Sequence, residues 1–237
     1  MADEVALAAD ACIGWHDSWS QALRVRTEMD GDAWRALDRP PVIYFTAITR
    51  RPEAPAEALA NAQGVVCDAW SRLDLGPFGF EPFASEPWFF RPAGPLPPAE
   101  EPAKLEIVRV TAPEEVQELE AVSARGFEGE NATVQVGSIH PVSILDDRRM
   151  TNWIGRVDGR SVAAAMSYRT DRAIGVFGVT TIASARGRGY GTAMTRAAVL
   201  AESALPSVLA PSREAERLYG RLGFRSVGEL CKWRRVR

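Results

Sequence analysis

The stretch from Val179 to Val199, VTTIASARGRGYGTAMTRAAV, leaves this chain few folds to choose from. A β-branched run ends at Ala183-Ser184-Ala185, and Arg186-Gly187-Arg188-Gly189-Tyr190-Gly191 then opens a helical pattern. Strand, glycine turn and helix in this order make an anion site. Glycines keep Cβ atoms away from a bulky ligand, and the first amides of a helix have no acceptor within it, so they point outward. Arg186 and Arg188 add charge-assisted donors. Neither common nucleotide loop fits. A P-loop needs a lysine that is missing here, and the Gly-x-Gly-x-x-Gly frame would need glycine at Thr192 or at Met194.

The residues around this stretch are regular. Leu105 to Val110 alternates as a strand, and Thr111 with Glu114 reads as an N-cap and its box partner, opening a helix with Val116, Leu119 and Val122 on one face. Residues 126–150 read as a long polar loop. Three strands joined by short turns follow, at 151–157, 161–168 and 173–182, as an antiparallel meander. After the helix from Gly189 to about Ala204 come a strand at 207–210, a helix at 212–222 and a last strand at 225–235.

The first half differs in charge and in proline. Residues 1–104 carry 16 acidic and 9 basic side chains, residues 105–237 carry 15 and 19, and eight of the 16 prolines fall between Pro77 and Pro102. Helical spacing of Leu7, Ala11, Trp15, Trp19 and Leu23 predicts a helix over 6–25, weakened by Gly14. A strand is expected at 42–49, a helix at 55–73 and a short strand at 87–91, with irregular chain before the last. Residues 92–104, in which six of thirteen are proline or glycine, read as a linker. The expected domains are therefore 1–91 and 105–237.

Composition excludes several classes. The net charge of −3 and 46% apolar content do not suit a nucleic-acid-coating chain, and the short basic end KWRRVR at 232–237 follows a strand alternation. No run approaches a membrane span, and the N-terminal MADEVALAAD is acidic where a leader is basic. Cys12, Cys67 and Cys231 are odd in number and widely spaced, which suggests buried thiols in a reducing, cytoplasmic setting and no metal site.

Arg186-x-x-Gly189-x-Gly191 after a strand, followed by SREAERLYGRLGF at 212–224, resembles the GNAT superfamily of acyl-CoA-dependent N-acyltransferases. The resemblance covers about 105–237. It implies an α+β fold in which a mostly antiparallel mixed sheet splays at an acyl-CoA cleft, flanked by helices, beside a smaller α/β N-terminal domain. It implies acetyl-CoA as co-substrate, with the turn from Arg186 through Gly187, Arg188, Gly189, Tyr190 and Gly191 to Thr192 receiving the pyrophosphate. The pantetheine arm would pair with backbone around Thr180, Thr181 and Ile182, and Tyr219 would act as general acid. The acceptor is then a primary amine of a small molecule or peptide.

This chain departs from the family pattern in two places. The strand AIGVFGVTTIAS holds no carboxylate to serve as base, and Ala183 stands where the family has proline. A water held by backbone and the Thr180 or Thr181 hydroxyl is the expected substitute, with Glu128, Glu130 and His140 as the alternatives; Phe127, Glu128 and Trp153 are candidate walls of the acceptor pocket. The chain also ends one strand after Phe224, which exposes a sheet edge. VIYFTAIT or PWFFR from the first half could cover it, as a degenerate copy of the same fold, and a second subunit in a homodimer is the other cover.

Overall fold

In the computed structural model, which describes residues 4–236, the first helical pattern becomes α1, Glu4–Ala22. The first three residues of the acidic N-terminus and Arg237 of the basic end lie outside the described residues. A Cβ at Gly14 would lie 2.1 Å from Cε1 of Tyr168. The glycine that weakens α1 as a helix is thus what lets it settle on the sheet.

The rest of the first half differs from expectation. A hairpin of β1 (Thr27–Met29) and β2 (Ala33–Ala36) precedes β3, which spans only Ala47–Thr49, while residues 42–45 turn after Pro40 and Pro41. In place of a helix over 55–73 there is one 3-10 turn at Ala56–Ala58 and then β4, Val65–Asp68. Local pattern loses here to side-chain chemistry at the strand end. Buried Asp68 accepts from the amides of Trp70, Arg72 and Leu73 at 3.2, 2.6 and 2.7 Å, which fixes a turn where a helix would have continued.

Strand β5 (Phe80–Arg91) runs through the stretch expected to be irregular. Its neighbour on one side reaches only Phe89 to Arg91, so Pro82 and Pro87 have an unpaired flank on which a missing N–H breaks no ladder bond. Residues 92–104 are coil, tied down by Arg91, which donates to the carbonyls of Leu222, Pro92, Gly94 and Pro95, and by Arg196, which donates to Pro97.

The second half follows its pattern closely: β6 (Glu106–Arg109), α2 (Pro113–Glu128), β7 (Met150–Val157), β8 (Arg160–Arg169), β9 (Ile174–Thr181), α3 (Tyr190–Leu200), β10 (Ser207–Leu209), α4 (Glu216–Arg221) and β11 (Arg225–Arg235). One correction falls at the start of α2. Pro113 takes the first helical position, so it is Glu115, not Glu114, whose carboxylate reaches back to the amides of Thr111 and Ala112. The loop after α2 is held from inside. Glu120, 1% exposed, accepts from the amides of Gly137, Ile139 and His140 at 2.7 to 2.9 Å.

Among the described residues the 11 strands form one mixed sheet in the order β1-β2-β3-β4-β11-β5-β10-β9-β8-β7-β6. Only β3 with β4 and β9 with β10 run parallel. Apart from β6 at one edge, which has no counterpart, the order is palindromic about the β11–β5 pair: outward on either side come one antiparallel neighbour, a parallel pair and an antiparallel hairpin. The last strand of each half has crossed over, so β11 lies beside β4 and β5 beside β10. The edge expected to be exposed after Phe224 is closed in this way, with PWFFR in β5 as cover; VIYFTAIT lies two strands away.

Side chains alternate between the faces of the sheet. Ala163 and Ala165 of β8 pack in the core that holds Met194 and Tyr219, whereas Ala164, Met166 and Tyr168 pack with α1 and α2 residues such as Trp15 and Leu119. Thus α1 and α2 cover one face, and α3 and α4 the other. Cys12 and Cys67 are buried, Cys231 is half-buried, and all three are free thiols.

Candidate active site

Strands β9 and β10 pair only at Ile174 with Ser207 and at Gly175 with Val208. Beyond these rungs they part, because β10 stops at Leu209 and β9 is bent by a bulge. Against β8 its register moves from Thr180 opposite Ala164 to Phe177 opposite Met166, with one extra residue on β9 between them. Val179 of β9 and Leu209 of β10, beside this gap, line a cavity of about 510 Å³, and the chain leaves β9 for the turn before α3.

At the start of α3, Gly189 is the N-cap with φ 80°, a conformation that disfavours any side chain, and no side chain caps the helix. The amides of Tyr190, Gly191 and Thr192 therefore have no intrahelical acceptor and face outward. Arg186, Gly187, Arg188 and Gly189 are exposed, while the Tyr190 ring is buried beneath the helix, so that residue offers the turn its backbone alone. Arg186 braces the turn from below, donating from Nε to the Thr181 carbonyl at 3.0 Å and from Nη2 to the Gly126 carbonyl at 3.1 Å. Arg188 reaches the Ser184 carbonyl. Uncapped amides, two guanidinium groups and two glycines at positive φ fit a polyanion such as the pyrophosphate of coenzyme A.

The three residues expected along the pantetheine arm do not act alike. The Ile182 amide donates to the Val162 carbonyl of β8 at 2.9 Å, so by alternation the main chain of Thr180 also turns toward β8 and that of Thr181 toward the gap. The Thr180 hydroxyl is buried against Gly126 of α2. It is not among the groups that line the cavity.

Tyr219 lies on α4 and lines the cavity, together with Ala215, Ser212 and Val179. Its ring meets Phe224 edge-on at 5.9 Å. Burial pushes the phenol up to about 12, with the Thr195 hydroxyl drawing it partly back, so it carries its proton throughout the neutral range. Phe127 and Glu128, at the end of α2, line the cavity mouth and are exposed. Trp153 is instead in the core beneath α3 and is not among the lining residues. Of the other proton acceptors considered, Glu130 is engaged by the Ser184 amide at 2.7 Å, which holds its carboxyl below the usual range. His140 is a cavity wall; burial lowers its imidazole to about 3, and its Nδ1 has no partner among the described residues.

The deep end of the cavity comes from residues that sequence reasoning missed: Cys12 and His16 of α1, Phe45, Glu86 and Trp88 of β5, and Lys232 of β11. The signal was rarity. The chain holds two histidines and only two lysines, and both histidines and one lysine line this one cavity. Among the described residues no group of three or more His, Cys, Asp or Glu is placed to hold a metal, and no helix is long and apolar enough to cross a membrane.

No family model matches the sequence, and no curated protein matches it. Solved structures do match. A GCN5-related N-acetyltransferase from Kribbella flavida superposes with TM-score 0.67 at 21% identity, covering 97% of this chain and 95% of the other. A protein from Novosphingobium aromaticivorans assigned to the GNAT family gives 0.60 at 20% identity, over 94% and 97%. A conserved protein of unknown function from Staphylococcus epidermidis gives 0.62 at 14% identity, over 89% and 94%. The chain has the GNAT fold, and these matches run through both of its halves.

Proposed function

We propose that this protein is an acyl-CoA-dependent N-acyltransferase that moves an acetyl group to a primary amine. The observation that carries the reading is the placing of three features around the end of β9. The uncapped amides of α3 follow directly on the end of β9, β9 and β10 part after two rungs, and Val179, Leu209 and Tyr219 beside that parting line the cavity.

The residues divide the work. The α3 amides with Arg186 and Arg188 hold the pyrophosphate, and Thr181, whose carbonyl Arg186 already holds, offers its amide N–H to the pantetheine arm. The bound thioester supplies an activated acyl carbon. The acceptor nitrogen forms its bond to that carbon as the carbon–sulfur bond breaks, and Tyr219 gives its proton to the departing sulfur. Glu128 at the cavity mouth takes the proton that the amine loses, since Glu130 is committed to Ser184 and His140 is buried. Water returns that proton to the phenolate, which leaves an amide and a thiol. We also propose that the first half is a degenerate copy of the second, because the palindromic sheet order places its strands as counterparts of β7 to β11.

Thiol release from acetyl-CoA over a panel of primary amines tests this. Tyr219→Phe should lower the rate roughly a hundredfold or more while acetyl-CoA affinity stays within about twofold. An unchanged rate removes Tyr219 from the role. Acetyl-CoA that raises the melting temperature while no amine in the panel releases thiol would make the protein a binding module instead.

A further inference from the structure

The cavity does not stop at the gap. It continues beneath α1 to an ion pair that joins the two halves, where Lys232 Nζ donates to Glu86 Oε1 at 2.6 Å, with the two side chains 23% and 24% exposed. His16 shares this floor. Its Nδ1–H donates to the Cys12 carbonyl at 2.8 Å, and because a carbonyl can only accept, Nε2 is left with a lone pair. Among the described residues nothing donates to that nitrogen, although His16 is 4% exposed. Phe45 links His16 to Lys232, its ring stacked on the His16 ring at 4.8 Å and its centroid 5.8 Å from Lys232 Nζ.

Charge and distance limit what can lie there. Glu120 is committed to three amides, both histidines are neutral at pH 7, and Glu86 and Lys232 cancel. The floor therefore suits a group of no net charge that both donates and accepts strongly, whereas the mouth, with Glu128, suits a cation. Strands β5 and β11 lie two and three places from β9 in the sheet, roughly 10 and 14 Å at the usual spacing. Recognition is thus well separated from the reacting carbon. The walls between are Trp15, Trp88 and Phe177, apolar surface that a chain of methylenes would cover.

We propose that the acceptor is a dibasic α-amino acid, bound head down. Its α-carboxylate accepts from Lys232, its α-ammonium donates to the second oxygen of Glu86 and to Nε2 of His16, and its side-chain amine extends to the gap. The fate of that amine rests on the acyl-transfer reading; recognition of the head does not. In the transfer, the side-chain nitrogen forms the amide bond as the carbon–sulfur bond breaks. Its ammonium gives up two protons, one to sulfur and one to solvent.

Calorimetric titration of the protein without acetyl-CoA tests the head site directly. L-Norleucine carries the head and no side-chain amine; cadaverine carries the amines and no head. Norleucine should bind at least about tenfold more tightly than cadaverine, and Lys232→Met or Glu86→Gln should each weaken norleucine roughly tenfold or more, as expected for lost hydrogen bonds to charged groups. Should a variant prove unfolded by its melting curve, N-acetyl-L-norleucine on the wild type gives the same comparison, since it lacks the ammonium. Cadaverine binding as tightly as norleucine, or norleucine binding indifferent to Lys232→Met and to N-acetylation, overturns the proposal. Lys232-dependent norleucine binding with no thiol release from acetyl-CoA and L-lysine would retain the head site and reject acyl transfer. Thiol release with cadaverine and no norleucine binding would do the reverse.

Discussion

Two parallel strand pairs occupy equivalent places on either side of the β11–β5 midline, and they have opposite fates. In the first half β3 has three residues and leads through a single 3-10 turn into β4. In the second, β9 has eight residues, bulges away from its partner, and feeds a glycine turn and an eleven-residue helix before β10 begins. Both halves thus share a strand pattern, and only one has a gap with helix amides at its end. The uncapped helix amides of the proposed anion site come from what is inserted between the two strands, and the strand order alone does not supply them. The half without the insertion lends Phe45, Glu86 and α1 to the cavity of the half that has it.

The largest effect that would sharpen this contrast is at the turn. Gly189→Val forces a β-branched residue into φ 80° and puts a Cβ over the uncapped amides, so acetyl-CoA binding should weaken beyond about a hundredfold by calorimetry. Glu53→Ala, in the exposed segment after β3, should leave binding and stability within about 0.5 kcal/mol. Equal loss in both would break the comparison.

Next is the loop after α2, which has no counterpart in the first half. Glu120→Ala leaves the buried His140 amide and the half-buried amides of Gly137 and Ile139 without an acceptor and should cost about 2 to 4 kcal/mol in chemical denaturation. A loss under about 1 kcal/mol would show that the carboxylate does not organise the loop.

Acid should act on both halves at once, through one histidine of each. Burial lowers His16 to about 4 and His140 to about 3 from an ordinary 6.5, so below pH 6.5 the unfolded chain takes up protons that the folded chain refuses. Stability then falls with pH, by about 3 to 4 kcal/mol in total between pH 7 and 5. His16→Gln and His140→Gln should each flatten about half of that slope in melting curves; a slope unaffected by either would place the acid sensitivity elsewhere. The smallest effect is at the cap of α2, where Glu115→Ala should cost about 1 kcal/mol and Glu114→Ala nearly nothing.

The second half was legible because its elements are long enough for periodicity to show. Residues 151–182 alternate over three strands with short turns, and α3 follows a turn whose arginine and glycines stand at a recognisable spacing. The first half was misread for the opposite reason. β1 to β4 have three or four residues each, too few for a period, and the alanine-rich run at 56–62 looks helical only until Asp68 and the pairing of β4 with β11 are known. In β5 the prolines signalled irregular chain, since nothing local says which flank of a strand will be free.

The sequence by itself determined the strand, turn and helix of the proposed anion site, the tyrosine at the end of α4, and the meander that supports them. Each depends on residues within a turn or two of one another. Tertiary structure alone decided that β5 and β11 change places between the halves, and that Glu86 meets Lys232 across 146 positions of chain. Such a contact leaves no period or motif in the sequence. It forms only once the whole sheet has closed the loop between the two residues, and the entropy of that closure is met by burial spread along both strands.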